Sequence, residues 1–263
     1  MPKKIKGFAL EDTLVDSHFA MATTTDPVTL TTVANPAFAT LVAKLGVLPG
    51  GPYDYAWVST NSMGSNATVA VGATLAGLNG IISTGNGKTD IDLSLSTGMN
   101  LVMAGNGNDS VTGGLGADNI AGGNGKDELF GGEANDVING GTGKDTMVGG
   151  LDTGTFSSTT DPATLVTTTA FVAGDVLTGG QGPDSFEYLV GDGVDEITDF
   201  KIGQDQLTLS GISETDVVAF TDGIDLYVGF SDGAGGVTAD SVIRLDGLTD
   251  VDALLNSQSL LFA

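Results

Sequence analysis

Through the middle of this chain a large apolar residue returns at every ninth position. Val111, Ile120, Leu129, Ile138, Met147 and Phe156 share one register, which Leu177 and Phe186 take up again further on. A spacing of nine fits neither the 3.6-residue period of a helix face nor the two-residue period of a long half-buried strand. It is the mark of a solenoid, in which each short repeat supplies one small piece of structure to a stack. The repeats read AGNGNDSVT, GGLGADNIA, GGNGKDELF, GGEANDVIN, GGTGKDTMV and GGLDTGTFS from Ala104 to Ser157, then AFVAGDVLT and GGQGPDSFE from Ala170 to Glu187. Positions seven to nine of each phrase predict a three-residue strand whose middle side chain points inward.

The other positions of the phrase carry different chemistry. Its sixth residue is Asp109, Asp118, Asp127, Asp136, Asp145, Asp175 or Asp184, which sets one carboxylate on every turn. Glycines at the second and fourth positions are Gly105, Gly107, Gly114, Gly116, Gly123, Gly125, Gly132, Gly141, Gly143, Gly180 and Gly182. They permit tight turns and let backbone carbonyls approach a ligand. Carboxylate and carbonyl oxygens are what calcium takes as ligands. A flexible Gly/Asp-rich linker, the plain alternative, has no reason to keep an apolar residue at every eighth position.

These phrases resemble the GGxGxDxUx nonapeptides of the RTX (repeats-in-toxin) family. The resemblance implies an all-β fold, a right-handed parallel β-roll with two nonapeptides per coil, and several Ca²⁺ ions held between turns stacked on the same side. Ligands would then come from repeats eighteen residues apart: Asp109 with Asp127, Asp118 with Asp136, and Asp127 with Asp145. The same spacing sets Gly154 opposite Asp136, so that site is expected to be weak or altered, with Asp152 close by as a substitute. The segments GNGKTDIDL and LSTGMNLVM look like degenerate turns, with Asp90 and Asn100 where ligands would sit. Residues 188–263 resemble the C-terminal module of the family, which implies a β-rich cap, a type I export signal, and further candidate ligands in Asp192, Asp195, Asp199 and Asp205.

The expected organisation is an N-terminal cap over 1–80, a calcium-binding roll over 81–187 with an insertion at 158–169, and the C-terminal cap. In the first part, Asn35 as N-cap, Pro36, and Gly46 just past the end predict a short helix with Phe38, Leu41, Val42 and Leu45 on one face. Such a helix suits a lid on the open end of the solenoid or a docking element for a neighbouring subunit. GGPYDYAW, from Gly50 to Trp57, is a local aromatic core or a contact patch. The Thr-rich insertion is a tolerated excursion, a short β-arm or a binding face.

Composition narrows the function. Lys and Arg number 9 against 33 Asp and Glu, for a formal charge of −24. Nucleic-acid phosphates are therefore unsuitable partners. The metal-free chain repels itself, and divalent cations would remove that repulsion, so binding energy becomes folding energy. There is no cysteine, hence no disulfide or thiolate metal site. No apolar run reaches the roughly 18 residues of a membrane span. Glu11, Asp12 and Asp16 interrupt any signal-peptide core, and a leaderless start fits type I export.

Catalytic constellations are missing. His18 is the only histidine, and the sequence holds no HExxH, no GxSxG and no cysteine nucleophile. Asp152-Thr153-Gly154 is one copy of a tripeptide that acts only in pairs. The expectation is a non-enzymatic, secreted, calcium-dependent structural protein that assembles with copies of itself into a layer, matrix or filament. The alternatives are an adhesin or a module for carbohydrate, ice or a cell-surface glycan, and an effector with its activity in the first 80 residues. All share one outcome. Strand signal in circular dichroism should be lost in excess chelator and appear cooperatively as calcium reaches about 10⁻⁴–10⁻³ M; full signal without calcium contradicts it.

Overall fold

A computed structural model of the chain describes residues 42–47, 54–59, 67–70, 78–85, 87–160, 167–231 and 237–263. Successive strands alternate between two sheets, as a nine-residue phrase requires when one phrase crosses one face and the next returns along the other. The first sheet stacks Leu78–Gly85, Leu101–Asn106, Asn119–Gly125, Val137–Gly143, Val176–Gln181, Val194–Ile197 and Val237–Leu245. The second stacks Ala67–Ala70, Thr89–Asp92, Ser110–Thr112, Glu128–Glu133, Thr146–Leu151, Ser185–Leu189, Gln206–Ser210 and Leu260–Phe262. All these neighbours pair in parallel, so the architecture is a β-roll.

Register puts equivalent residues directly over one another. Ile120 pairs with Val102 on one side and Ile138 on the other, and Ile138 with Leu177. On the opposite face Leu129 lies between Val111 and Met147, and Met147 pairs with Phe186. Val102, Val111, Ile120, Leu129, Ile138 and Met147 are wholly buried, each giving one apolar side chain to a thin core between the sheets. A fully buried aliphatic side chain contributes about 1.5–3 kcal/mol, so the core is a sum of small equal increments.

The corners need glycine for two reasons. Gly125 has a φ of 143° and Gly143 of 148°, where a side chain is strained. A Cβ on Gly125 would also run into the Gly107 carbonyl of the preceding coil. Ala134 keeps a positive φ of 73° at a position that is glycine in neighbouring repeats.

Three departures from the sequence-based expectation are instructive. The helix expected to run to Gly46 is a strand in its second half: Val42–Val47 pairs antiparallel with Asp54–Ser59, which itself pairs in parallel with Leu78–Gly85. An open sheet edge offers backbone partners along its whole length, and that outweighs a local helical stripe. Residues 35–41 lie outside the described residues, as does His18. The excursion is also longer than 158–169. Thr155–Thr160 and Thr167–Val172 form an antiparallel hairpin, so the second half of GGLDTGTFS runs out along an arm, while Gly150 and Leu151 still pair with Gly132 and Glu133 in the roll. Phe156 accordingly leaves the eighth-position core and joins Val194, Tyr227 and Val242 in a second cluster. Finally, parallel pairing extends upstream of residue 81, to Ala67–Ala70 and Asp54–Ser59.

Beyond residue 188 the roll continues and then closes with an antiparallel meander, Val217–Thr221 and Leu226–Ser231 against Val237–Leu245. Tyr188 stacks on Phe230 with ring centroids 5.6 Å apart. A short helix, Val251–Leu255, is capped by Asp250, whose carboxylate accepts from the Ala253 amide at 2.8 Å, and it buries Leu254.

Because Ile138 is fully buried while adjacent Val137 is 45% exposed, their truncation should differ sharply. Ile138→Ala should cost about 2–5 kcal/mol, and Val137→Ala under about 0.5 kcal/mol, in denaturant unfolding at saturating calcium.

Candidate metal centre

The sixth-position aspartates line up in two ladders, one at each edge of the roll. In the first, the backbone amide of each rung donates to the Oδ1 of the next: Thr89 to Asp109 at 2.6 Å, Asp109 to Asp127 at 2.8 Å, Asp127 to Asp145 at 2.9 Å, and Asp145 to Asp184 and Asp184 to Asp205, both at 3.0 Å. The second runs from Asn100 to Asp118 and from Asp118 to Asp136, both at 2.7 Å. It continues from Asp136 to Asp175 at 2.7 Å and from Asp175 to Asp195 at 3.4 Å. The pairs expected eighteen residues apart are all present. The partner of Asp136, however, is Asp175, 39 residues on, and not Gly154. The arm is looped out and the ladder closes behind it without a missing rung.

Each rung spends one carboxylate oxygen on a backbone amide and leaves the other over. Oδ2 of Asp109, Asp127, Asp136, Asp145, Asp175 and Asp184 is buried with no hydrogen-bond partner. Only Asp118 differs among the repeats, since its Oδ2 accepts from the Gly114 amide at 2.7 Å. Most of these oxygens face the first glycine of their own phrase: a Cβ on Gly122 would stand 2.5 Å from Oδ2 of Asp127, and one on Gly179 2.6 Å from Oδ2 of Asp184, while Oδ2 of Asp175 faces Gly149, before the arm. The carbonyls of Gly107, Gly125 and Gly143 lie against the glycine of the following coil. The result is a cradle of hard oxygens with no room for a side chain.

Burial, then the like charges above and below, push these carboxyls upward. Asp127 and Asp175 are raised to about 7, Asp136 to about 8 and Asp145 to about 6. Asp109, Asp118 and Asp184 are also raised, mainly by burial. Orphaned buried oxygens with elevated pKa values suit a hard divalent cation, which supplies the missing partner and cancels the repulsion. Calcium held here would be bound by the ladder aspartates and the flanking glycine carbonyls.

The residues left open by the sequence now have places. Asn100 heads the second ladder, with its side-chain Nδ2 also donating to Asp118 Oδ1 at 2.9 Å. Asp195 and Asp205 continue the ladders into the C-terminal part. Asp90 stands one place out of column, in an exposed 3.0 Å ion pair with Lys88, because the first coil is two residues longer and puts Thr89 at the head. Asp199 accepts from the amides of Gly179 and Gly180, both at 2.8 Å. Asp192 caps its own turn through the Leu189 amide. Asp152 lies at the root of the arm, where its Oδ2 accepts from the Val194 amide at 3.0 Å.

Fold and site together define a calcium-binding β-roll. Residues 96–129 and 122–156 match the RTX calcium-binding nonapeptide repeat family. This stretch is an array of RTX repeats, and it binds Ca²⁺ at several places along the stack. The chain is also similar to the AlgE6R3 subunit of the Azotobacter vinelandii mannuronan C5-epimerase, at 24% identity and a TM-score of 0.25, over 59% of this chain and 78% of that one. Similarity to the extracellular lipase LipA of Serratia marcescens is at 12% identity and a TM-score of 0.26, over 79% of this chain and 42% of the lipase. No curated protein matches.

The raised pKa values fix a pH dependence. The metal-free fold holds protons that the unfolded chain, with ordinary carboxyls near 4, has released. Its stability is therefore fully present below that value and is lost as pH rises through about 6 to 8. Calcium must displace the same protons, so its affinity runs the opposite way. The midpoint of a calcium titration followed by circular dichroism should fall steadily as pH is raised across that window. A constant midpoint counts against proton competition at the ladders.

Proposed function

We propose that this chain is a secreted, non-catalytic structural protein that folds on extracellular calcium and assembles with copies of itself into a layer, matrix or filament. The carrying observation is the pair of uninterrupted aspartate ladders, in which Oδ2 of every nonapeptide aspartate but Asp118 is buried without a partner. A chain of this charge stays expanded where free calcium is low, which suits passage through a type I secretion channel, and compacts once outside. No helix among the described residues is long and apolar enough to cross a membrane.

Assembly is supported by the sheet edges. Val217–Thr221 and Leu260–Phe262 are the outermost strands at one end of the two sheets, with no further strand paired to them among the described residues. Leu261 and Phe262 are 38% and 37% exposed on the second of these. An unpaired strand carrying apolar side chains is a template for another chain. Electron microscopy of purified protein at millimolar calcium should show ordered arrays or filaments that disperse in chelator. Monodisperse particles under both conditions, in protein that has folded by circular dichroism, overturn the assembly reading and leave the calcium-stabilised binding module.

A further inference from the structure

The corners of the first ladder are built on glycine until its last. Gly105, Gly123, Gly141 and Gly180 hold the second place of their phrases and pair one over the next through the first sheet. Past Gly180 that column stops, because Val176–Gln181 pairs onward only through Val176 and Leu177. The next rung is Asp205, and four residues before it, where Gly180 stands before Asp184, the chain has Lys201. Lys201 opens a tight turn: its carbonyl accepts from the amides of Gln204 at 3.0 Å and of Asp205 at 2.9 Å.

This turn meets with protein donors the oxygens that the repeats leave over. Lys201 Nζ donates to the Gly180 carbonyl at 2.9 Å, and Gln204 Nε2 donates to the Gly182 carbonyl. Gly182 continues the series Gly107, Gly125 and Gly143, whose carbonyls lie against a glycine of the coil that follows. Asp205 is buried, yet both its oxygens have partners: Oδ1 accepts from the Asp184 amide at 3.0 Å and Oδ2 from the Lys201 amide at 2.8 Å. Oδ2 of Asp184 is left without a hydrogen bond. The Lys201 charge acts on that carboxyl, against the upward push of burial and of Asp205 and Asp199. The same ammonium lies 3.9 Å from Asp199 Oδ2. A compact cation carried by the chain itself therefore already stands at this interface, and it repels a second one.

We infer that the calcium array of the first ladder ends at Asp184, and that the interface beyond it, between 179–184 and 201–205, is closed by Lys201 and Gln204 in place of an ion. A side-chain ammonium cannot be removed by a chelator. The last nonapeptide therefore stays joined to the coil that carries Asp205 at calcium concentrations too low to hold one repeat on another. The substitution is written in the sequence as a lysine at a glycine position, and it needs no self-assembly to operate.

The test uses the full chain. In crystals grown with terbium in place of calcium, anomalous scattering should place ions between the stacked rungs Asp109, Asp127, Asp145 and Asp184, and none between Asp184 and Asp205. A terbium ion on the Gly182 carbonyl or on Asp205 overturns the proposal. In solution, hydrogen exchange is followed as calcium is lowered. Segments 185–189 and 206–210 should stay protected where 119–125 and 128–133 have lost protection. Lys201→Met keeps the stem and removes charge and donor; because the Lys201 side chain is 45% exposed, it should cut that remaining protection by roughly threefold to tenfold. Lys201→Arg, which keeps both, should leave it intact. Apolar packing alone would be indifferent to Lys201→Met. Protection lost in step with the repeats, or equal in the Met variant and the wild type, overturns the proposal; should the Met variant not fold at saturating calcium, the terbium positions decide.

Discussion

The interaction on which everything else depends is the contact between each aspartate and the backbone amide of the rung before it. That one hydrogen bond sets the coil-to-coil spacing and fixes which carboxylate oxygen is used up. At Asp109, Asp127, Asp136, Asp145, Asp175 and Asp184 it also leaves the other oxygen in a buried place with no protein partner. A polar atom in that position is costly unless something satisfies it. Stacking then multiplies the problem, because each rung carries the same charge as its neighbours. The chain meets this with a ligand it does not encode, and much of its composition follows. Glycine is needed wherever a Cβ would collide with the next coil or with Oδ2, as at Gly122, Gly125 and Gly131. Few basic residues are needed, because neutralisation comes from outside.

A core only one side chain deep per strand has a further consequence. Ile120 and Ile138 on one face and Leu129 and Met147 on the other gain their burial from the coils above and below. No coil can hold its shape alone, and an end with more apolar surface gathered gives the stack a firmer neighbour to build on. The C-terminal part offers that surface: Tyr188, Phe200, Leu207, Leu209, Leu226, Val228, Phe230 and Leu245 are all buried there in continuity with the roll. The ladders run into the same region through Asp195 and Asp205, so metal binding and cap packing meet at one boundary.

The roll was legible in the sequence because its physical requirements repeat. Asp at position six and an apolar residue at position eight are independent demands, and the coincidence of both across the array leaves little freedom in the register. The failures arose where one demand was met without the other. GGLDTGTFS has the glycines and an apolar eighth residue but Gly154 in place of the carboxylate, and past Leu151 the structure carries it out of the roll. The absent aspartate was the true signal, and Phe156 was misleading because a hairpin limb and a roll strand make the same use of a large apolar residue. Asp90 erred the other way. It has the right residue type in the right phrase, yet the first coil is two residues longer, so Thr89 occupies the ladder. Helix signals around Pro36 and Leu45 were local, and a sheet edge is a long-range partner that no local window contains.

An unbranched stack should tolerate an insertion only if the chain returns to the position it left, in the same register and facing the same way. The arm achieves this with Val176 and Leu177 over Val137 and Ile138, as though no residues intervened. Antiparallel pairing brings the arm's two ends together by construction, since Thr155 lies opposite Val172. What hairpin geometry does not provide is a reason for the arm to lie down against the next coil. The aromatic contacts of Phe156 and Phe171 with Tyr227 provide it on one side, and they require the C-terminal meander to be in place already. The order of the excursion therefore depends on residues far along the chain, which ties the repeat array to its C-terminal part more firmly than stacking alone would.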